Sequence, residues 1–279
     1  MEDLDGTLKT RFNGTGIQHF TGEALARFEI PLPPLPEQRR IVSILDEVLE
    51  GIATAKANTE KNLQNARAIF ESHLQSVFSE RGSDWIEMRL GDLIDIQNGF
   101  AFKSAEYTNS GYFVMRIGNV QNGEIELSNP RYVQISDKRM NRFILNKGDI
   151  LVSLTGKIGR VGVVESEHLP AVLNQRVARI TVKDRAIAPN FLFRFLCSRA
   201  FREGLQDAGH GAAQQNVSTK EIETVAIAVP TTETQIRIVE HIDALVEKTR
   251  LLEDMYRRKL IALEDLKKSF LYQAFSGDL

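Results

Sequence analysis

Narrow apolar stripes run along two long segments of the chain. In residues 231–276, apolar side chains recur at alternating spacings of three and four: Ile238, Ile242, Leu245, Leu252, Tyr256, Leu263, Leu266 and Phe270. Residues 36–80 show similar spacing: Ile41, Leu45, Val48, Ile52, Ala55, Leu63, Ala66, Ile69 and Val77. This heptad period predicts two helices of about 40 residues, each needing a partner helix because its stripe is narrow. Pro36 suits a first helical turn, and Thr232 with Gln235 has the spacing of a capping box.

Both segments belong to an internal repeat with a constant offset of 197 residues over about 66 residues. Matched pairs include Ile30 with Ile227, Pro33 with Pro230, Gln38 with Gln235, Asp46 with Asp243, Leu74 with Leu271 and Phe78 with Phe275. A constant register argues against chance similarity. Because a large region links the end of one helix to the start of the other, an antiparallel coiled coil is the simplest pairing. The alternative is that each helix packs on its own domain core.

The region between the helices has a different pattern. Short apolar runs bounded by Gly, Asn, Asp and Lys predict strands within residues 111–118, 149–154, 159–164, 177–182 and 224–229. Residues 146–149 predict a tight turn, and residues 189–205 predict one short amphipathic helix. The fold class expected is α+β, with a mixed-sheet domain attached to a long antiparallel two-helix coiled coil.

Composition places the chain among globular proteins, with 42% hydrophobic and 26% charged residues. The single cysteine, Cys197, excludes a disulfide within the chain and fits a reducing compartment. No apolar run reaches the 18 or so residues of a membrane span. Since the start is also acidic, unlike a signal peptide, we expect a cytoplasmic protein.

Charge is distributed unevenly along the chain. The net charge of −2 argues against a protein that coats nucleic acid indiscriminately. Residues 98–160, however, carry 9 Lys and Arg against 5 Asp and Glu. This local excess is compatible with a DNA-contacting face, and ordinary surface charge remains an equal alternative.

Several stretches together resemble the specificity (S) subunit of type I restriction-modification enzymes. They are W-I-E-M-R-L-G-D-L at residues 85–93, R-I-G-N at 116–119, K-G-D-I-L-V-S at 147–153, Q-I-R-I-V at 235–239 and F-S-G-D-L at 275–279. The first repeat copy, P-L-P-P-L-P-E-Q-R-R-I-V at 31–42, matches that family's helix entry more faithfully than the second.

The resemblance implies a non-catalytic reader of double-stranded DNA that needs no cofactor. Family members typically carry two target recognition domains, each followed by a long helix and each reading half of a split site. The helices pair antiparallel, set the distance between the domains and dock methyltransferase (M) subunits. Restriction (R) subunits then join the complex.

This chain departs from that pattern, because only one recognition domain is complete. We expect a domain remnant at 1–35, helices at 36–80 and 231–276, and a recognition domain at 84–230. One hypothesis is a homodimer whose two recognition domains read a symmetric site. The rival is a truncated or recombination-derived form that reads half a site.

Candidate DNA contacts follow from chemistry, because phosphates attract cations whereas base edges suit bidentate Arg, Asn or Gln. The phosphate candidates are Lys103, Lys138, Arg139, Arg142, Lys157 and Arg160. The base candidates are Gln97, Asn98, Arg116, Asn119, Asn174, Gln175, Arg176, Gln214, Gln215 and Asn216. For each residue, a turn-forming or solvated role is the competing interpretation, and Arg116 with Asn119 could simply stabilise a turn around Gly118.

Enzymatic interpretations find little support in the sequence. Residues 129–132 lack the second proline of the amino-methyltransferase motif, and Leu151 and Ile158 break the P-loop pattern around Lys157. The five histidines are scattered, which predicts no metal site. A non-enzymatic alternative is a coiled-coil adaptor whose central domain binds protein instead of DNA.

Overall fold

Six α-helices, four short 3-10 helices and nine strands lie in the part of the chain that the computed structural model describes, residues 32–80, 82–208 and 216–279. The helices are α1 (Leu35–Ser79), α2 (Leu90–Leu93), α3 (Pro189–Cys197), α4 (Arg199–Ala208), α5 (Thr219–Thr224) and α6 (Thr232–Ser276). The strands are β1 (Ile86–Arg89), β2 (Ile94–Asn98), β3 (Tyr112–Met115), β4 (Tyr132–Val133), β5 (Ile150–Ser153), β6 (Val161–Val163), β7 (Ala171–Leu173), β8 (Val177–Val182) and β9 (Ala226–Val229). Within these ranges, no helix is both long and apolar enough to cross a membrane.

The described residues form two compact units, each containing part of both long helices. The first unit comprises residues 32–67 and 248–279, and two ion pairs join its helices. Arg67 lies 2.8 Å from Glu253, and Lys56 lies 3.7 Å from Glu264. Since Lys56 precedes Arg67 by 11 residues and Glu264 follows Glu253 by 11, the two helices run antiparallel here, as predicted.

The helix contact in this unit follows the heptad period. Ile52, Thr59 and Ala66 are buried at intervals of seven, and the Thr59 hydroxyl donates to the Ala55 carbonyl at 2.7 Å. Two predicted stripe residues of this unit, Leu252 and Leu266, are exposed instead, and so is Ile69 of the second unit. In a straight α-helix, residues seven apart are rotated by about 20° around the helix axis relative to each other. Over several heptads, residues at a constant heptad spacing therefore turn away from the partner helix.

The second unit, residues 68–247, contains three sheets. The largest has strand order β2-β8-β5-β6 and is antiparallel throughout. The sheet β4-β3-β7 is mixed, because β3 pairs parallel with β7, and β1 pairs antiparallel with β9. The α+β class is therefore confirmed, with mixed sheet and long helices in one chain.

The largest sheet separates two apolar clusters by the alternation of its side chains. Ile150 and Val152 of β5 pack with α3, α4 and the parts of α1 and α6 in this unit, whereas Leu151 packs on the opposite face. On β8, Ala178 and Ile180 join the first cluster and Val177 the second. This period of two places Arg179 on the same face as Val177.

The helix predicted at 189–205 is two helices, because the backbone turns at Ser198. That residue is extended and buried, and its hydroxyl accepts from the Phe201 amide at 3.3 Å, as an N-cap does. Burial raises the pKa of the adjacent Cys197 thiol to about 12, as expected of a thiol packed in the apolar cluster. The cap of α6 also differs from the prediction, since the Thr234 amide donates to Thr231 instead of Thr232.

Candidate nucleic-acid interface

The turn between β7 and β8, residues 174–176, lies where several chain segments meet. The Phe100 amide donates to the Leu173 carbonyl at 2.9 Å, and the Gln175 amide donates to the Phe100 carbonyl at 2.9 Å. The Asn174 amide donates to the Met115 carbonyl at 3.1 Å. These backbone bonds hold the end of β2 and the end of β3 against one turn.

A third segment bonds to the same turn, and a fourth bonds to that third segment. The Leu154 amide donates to the Arg176 carbonyl at 3.0 Å, and the Val217 amide donates to the Leu154 carbonyl at 2.8 Å. Thr155 and Asn216 form an isolated antiparallel bridge. The segment that continues to Lys157 and the segment that begins at Asn216 are therefore tied to the turn as well.

One glycine permits this close approach. A Cβ atom on Gly99 would lie 2.2 Å from the Asn174 carbonyl oxygen, which is closer than real Cβ atoms come to backbone. Only glycine fits at this position without moving either segment. A glycine directly after β2 is thus a requirement of the junction.

Most candidates that the structure describes are on the surface. The exposed phosphate candidates are Lys103, Lys138, Arg139, Arg142 and Lys157, whereas Arg160 is half-buried. The exposed base candidates are Asn98, Gln175, Arg176 and Asn216. Gln214 and Gln215 lie outside the described residues.

Four base candidates use their polar groups within the fold. Gln97 bonds to Arg179 and to the Arg142 carbonyl, and the other three lie in turns. Asn119 is buried, accepts from the Arg116 amide at 3.0 Å, and donates to the carbonyls of Glu126 and Ser128. The Arg116 guanidinium donates to the Asn129 carbonyl. Asn174 is also buried, and its side-chain oxygen accepts from the Arg176 amide at 3.4 Å. The turn-forming interpretation therefore describes how these side chains are used in this structure.

The basic segment Lys138–Phe143 is a short 3-10 helix that presents three of the phosphate candidates. Asp137 caps it by accepting from the Arg139 amide at 2.8 Å. A hydrogen bond from the Arg139 guanidinium holds the pKa of Asp137 below its usual range, so the pair is ionised at neutral pH. The Arg142 guanidinium lies 4.6 Å from the centroid of the Phe143 ring, whose side chain is buried.

Sequence reasoning missed Arg179, which links this basic segment to the sheet. Its guanidinium donates to Gln97 at 2.5 Å, to Asp149 at 3.2 Å, and to the carbonyls of Arg142 and Ile144 at 3.1 Å each. The signal that could have found it is a charged residue on the apolar strand V-A-R-I-T-V. A half-buried arginine at such a position needs several acceptors.

The chemistry of this surface is hydrogen bonding and charge. Across the three described ranges, no group of three His, Cys, Asp or Glu side chains is arranged to hold a metal ion. Arginine, asparagine and glutamine can donate to phosphate oxygens and to base edges. The arrangement suits recognition of a polyanion.

Known proteins share this sequence pattern and fold. The type I restriction enzyme MjaVIII specificity subunit of Methanocaldococcus jannaschii is 29% identical over 98% of this chain and 67% of its own length. The EcoBI specificity subunit of Escherichia coli is 25% identical over 94% of this chain and 61% of its own length. This chain thus spans about three fifths to two thirds of those relatives.

A solved chain from a study of complex assembly and conformational transition in the type I R-M system superposes with a TM-score of 0.79 at 22% identity. The superposition covers 99% of this chain and 68% of that one, and it shows a shared fold. The family model for the type I restriction modification DNA specificity domain matches residues 6–65 and 82–258. Because that match covers most of the sequence, the chain belongs to the type I restriction modification DNA specificity domain family.

Proposed function

We propose that residues 84–230 read one half of a double-stranded DNA target for a type I restriction-modification complex. The observation that carries this proposal is the junction at residues 174–176, where four chain segments meet beside exposed amide and guanidinium groups. The family supplies the class of ligand, since its matched domain is described as a DNA specificity domain. The chain itself contributes recognition and no catalysis.

Within this surface, two kinds of contact have different roles. Asn98, Gln175, Arg176 and Asn216 are the base-reading candidates, because each is exposed and lies in or next to a segment joined at the junction. The phosphate contacts are assigned to Lys103, Lys138, Arg139, Arg142, Lys157 and Arg160. They position the duplex without reading its sequence.

The outer face of α6 is the proposed docking surface for a methyltransferase subunit, through which the restriction subunit joins. Leu251, Met255 and Ile261 are exposed on that helix. The internal repeat matches them to polar residues of α1: Thr54, Asn58 and Gln64. The helix α1 pairs with α6 in the first unit although it has polar residues at these positions, so helix pairing does not require apolar ones. A bound partner protein would bury the three apolar side chains of α6.

The second half-site would be read by a second copy of this chain. Phe78 is 7% exposed, whereas its repeat partner Phe275 is 66% exposed. Val239 is 8% exposed, whereas its repeat partner Val42 is 55% exposed. Positions that pack in one repeat copy are thus uncovered in the other, and a homodimer would bury them. Light scattering should give twice the 31.4 kDa chain mass at micromolar concentration, and a strict monomer would remove the homodimer.

A gel shift with a methyltransferase partner tests the DNA-binding proposal. The assay compares the chain alone, the partner alone and the complex on a pool of random-sequence duplexes, followed by sequencing of the retained DNA. Enrichment of one sequence element only when the chain is present supports the proposal. If the complex forms and retains DNA without enrichment, the chain is a protein-binding adaptor and not a sequence reader.

A further inference from the structure

We propose that Arg179 is a positioning residue that holds the basic segment Lys138–Phe143 in the orientation in which its cations reach DNA. This inference rests on the proposed DNA-reading function and names a residue on which that function depends. Arg179 touches no ligand in this account. It acts through the backbone of the segment that does.

The geometry assigns this role because one guanidinium joins three separate parts of the domain. Arg179 lies in β8, directly opposite Gln97 of β2 in the antiparallel register. It donates to the Gln97 side chain at 2.5 Å and to Asp149, which follows the turn before β5, at 3.2 Å. The network thereby spans the sheet from β2 to β5 on the face opposite α3.

The same guanidinium fixes the end of the basic segment. It donates to the carbonyls of Arg142 and Ile144, and Gln97 adds a second bond to the Arg142 carbonyl at 2.8 Å. Asp149 also accepts from the Asn146 amide at 2.9 Å. Side chains therefore bond three backbone groups of residues 142–146, and the Leu145 amide also donates to the Ala171 carbonyl of β7 at 2.9 Å.

Arginine is required at this position because of the number of acceptors. Its guanidinium carries five N–H donors in a planar fork, and here both terminal nitrogens are used. Lysine would keep the positive charge but has a single nitrogen, which cannot reach all four acceptors at once. The side-chain oxygen of Gln97 accepts from Arg179 and its side-chain nitrogen donates to the Arg142 carbonyl. Gln97 therefore supports Arg179 instead of facing a base.

The experiment uses the salt dependence of binding to separate charge from position. Each phosphate contact contributes about 0.9 to the slope of log K against log salt concentration on duplex DNA. We would measure that slope for the chain with its methyltransferase partner on a random-sequence 40-base-pair duplex. The variants are Arg179→Lys and the double variant Lys138→Ala/Arg142→Ala, with circular dichroism as the check on folding.

We expect Arg179→Lys to lower the slope by about 2, as the double variant should, although it retains the formal charge. Hydrogen exchange of residues 138–146 should accelerate in Arg179→Lys and not in the double variant. If Arg179→Lys proves unfolded, Gln97→Met, which removes one bond to the Arg142 carbonyl, should give a smaller loss of slope. A wild-type slope in whichever of these variants is folded overturns the positioning role while leaving DNA reading intact. If that variant and the double variant both keep the wild-type slope, the segment does not contact DNA. If the wild-type complex does not bind DNA at all, the proposed function itself is refuted.

Discussion

Gln38 and Gln235 make the same hydrogen bond at the starts of the two long helices. Each donates from Nε2 to the carbonyl of the proline five residues earlier, at 2.8 Å to Pro33 and at 2.9 Å to Pro230. Gln235 also accepts from the Ala188 amide and donates to the Ala186 carbonyl, whereas Gln38 is only partly buried. The repeat has therefore preserved the helix entry, while only the second copy anchors it to a domain body in the described structure.

This difference gives a prediction with a built-in control. Gln235→Ala should destabilise the chain by about 2–3 kcal/mol, because it leaves the buried Pro230 carbonyl and the partly buried bonds to Ala186 and Ala188 without their partner. Gln38→Ala should cost under about 1 kcal/mol, since water can reach the Pro33 carbonyl. Urea unfolding followed by circular dichroism measures both. Equal costs would contradict the asymmetry.

The two matched phenylalanines predict a similar contrast. Phe78 packs 5.5 Å from the rings of Phe191 and Phe195, so Phe78→Ala should cost about 3–5 kcal/mol. Phe275→Ala should change stability by less than about 1 kcal/mol in a dilute monomer, because the ring is exposed. Thermal unfolding at low concentration checks both values. A large cost for Phe275→Ala that grows with protein concentration would instead indicate that a second copy covers it.

Acidification should weaken the pairing of α1 with α6, because it protonates Glu253. A hydrogen bond from Arg67 lowers the pKa of Glu253 below its ordinary value, so the folded state binds the proton more weakly than the unfolded state. The stabilisation is therefore complete above the unfolded pKa and is lost as pH falls through the folded pKa. Arg67 is half exposed, so the effect should stay under about 1 kcal/mol.

Glu253→Gln provides the control for this titration. Its stability should match that of the acidified wild type and should show a smaller loss between pH 5 and pH 3. Unfolding measured across that range at low salt compares the two chains. A wild-type stability that rises on acidification would contradict the sign of the linkage.

Lys157 offers the simplest test of a phosphate contact. Lys157→Ala should lower the salt slope of DNA binding by about 1 and weaken binding to all sequences alike. Lys183 is the matched control, because it follows the opposite end of β8 from Arg176 and its ammonium group donates to the Gly91 carbonyl. Lys183→Ala should leave the slope unchanged. If the two variants behave alike, Lys157 is an ordinary surface lysine.

The helices and strands that follow a local apolar period could be predicted from the sequence. The heptad spacing predicted the long helices, and the apolar runs predicted the strands β3, β5, β6, β8 and β9, with Gly148 at a positive φ in the predicted turn before β5. The break at Ser198 was missed, because apolar spacing continues across it and the cap becomes visible only with the extended backbone.

The candidate site was harder to predict, because it is built from distant parts of the chain. Arg179 and Gln97 are 82 residues apart, and the parallel pairing of β3 with β7 that places Asn174 beside Met115 joins residues 58 apart. Side-chain chemistry alone identified polar residues suited to DNA. It could not separate exposed Gln175 from buried Asn119, since both are amides in polar, turn-rich sequence.

Methylome sequencing shows directly whether this chain selects a DNA sequence. Cells would express the methyltransferase partner with this chain, without it, or with a chain carrying Asn98→Ala and Gln175→Ala. We expect a methylated sequence motif that appears only with the chain, and that is lost or relaxed at particular positions in the double variant. The same set of methylated sites with and without the chain would contradict the claim that it reads DNA sequence.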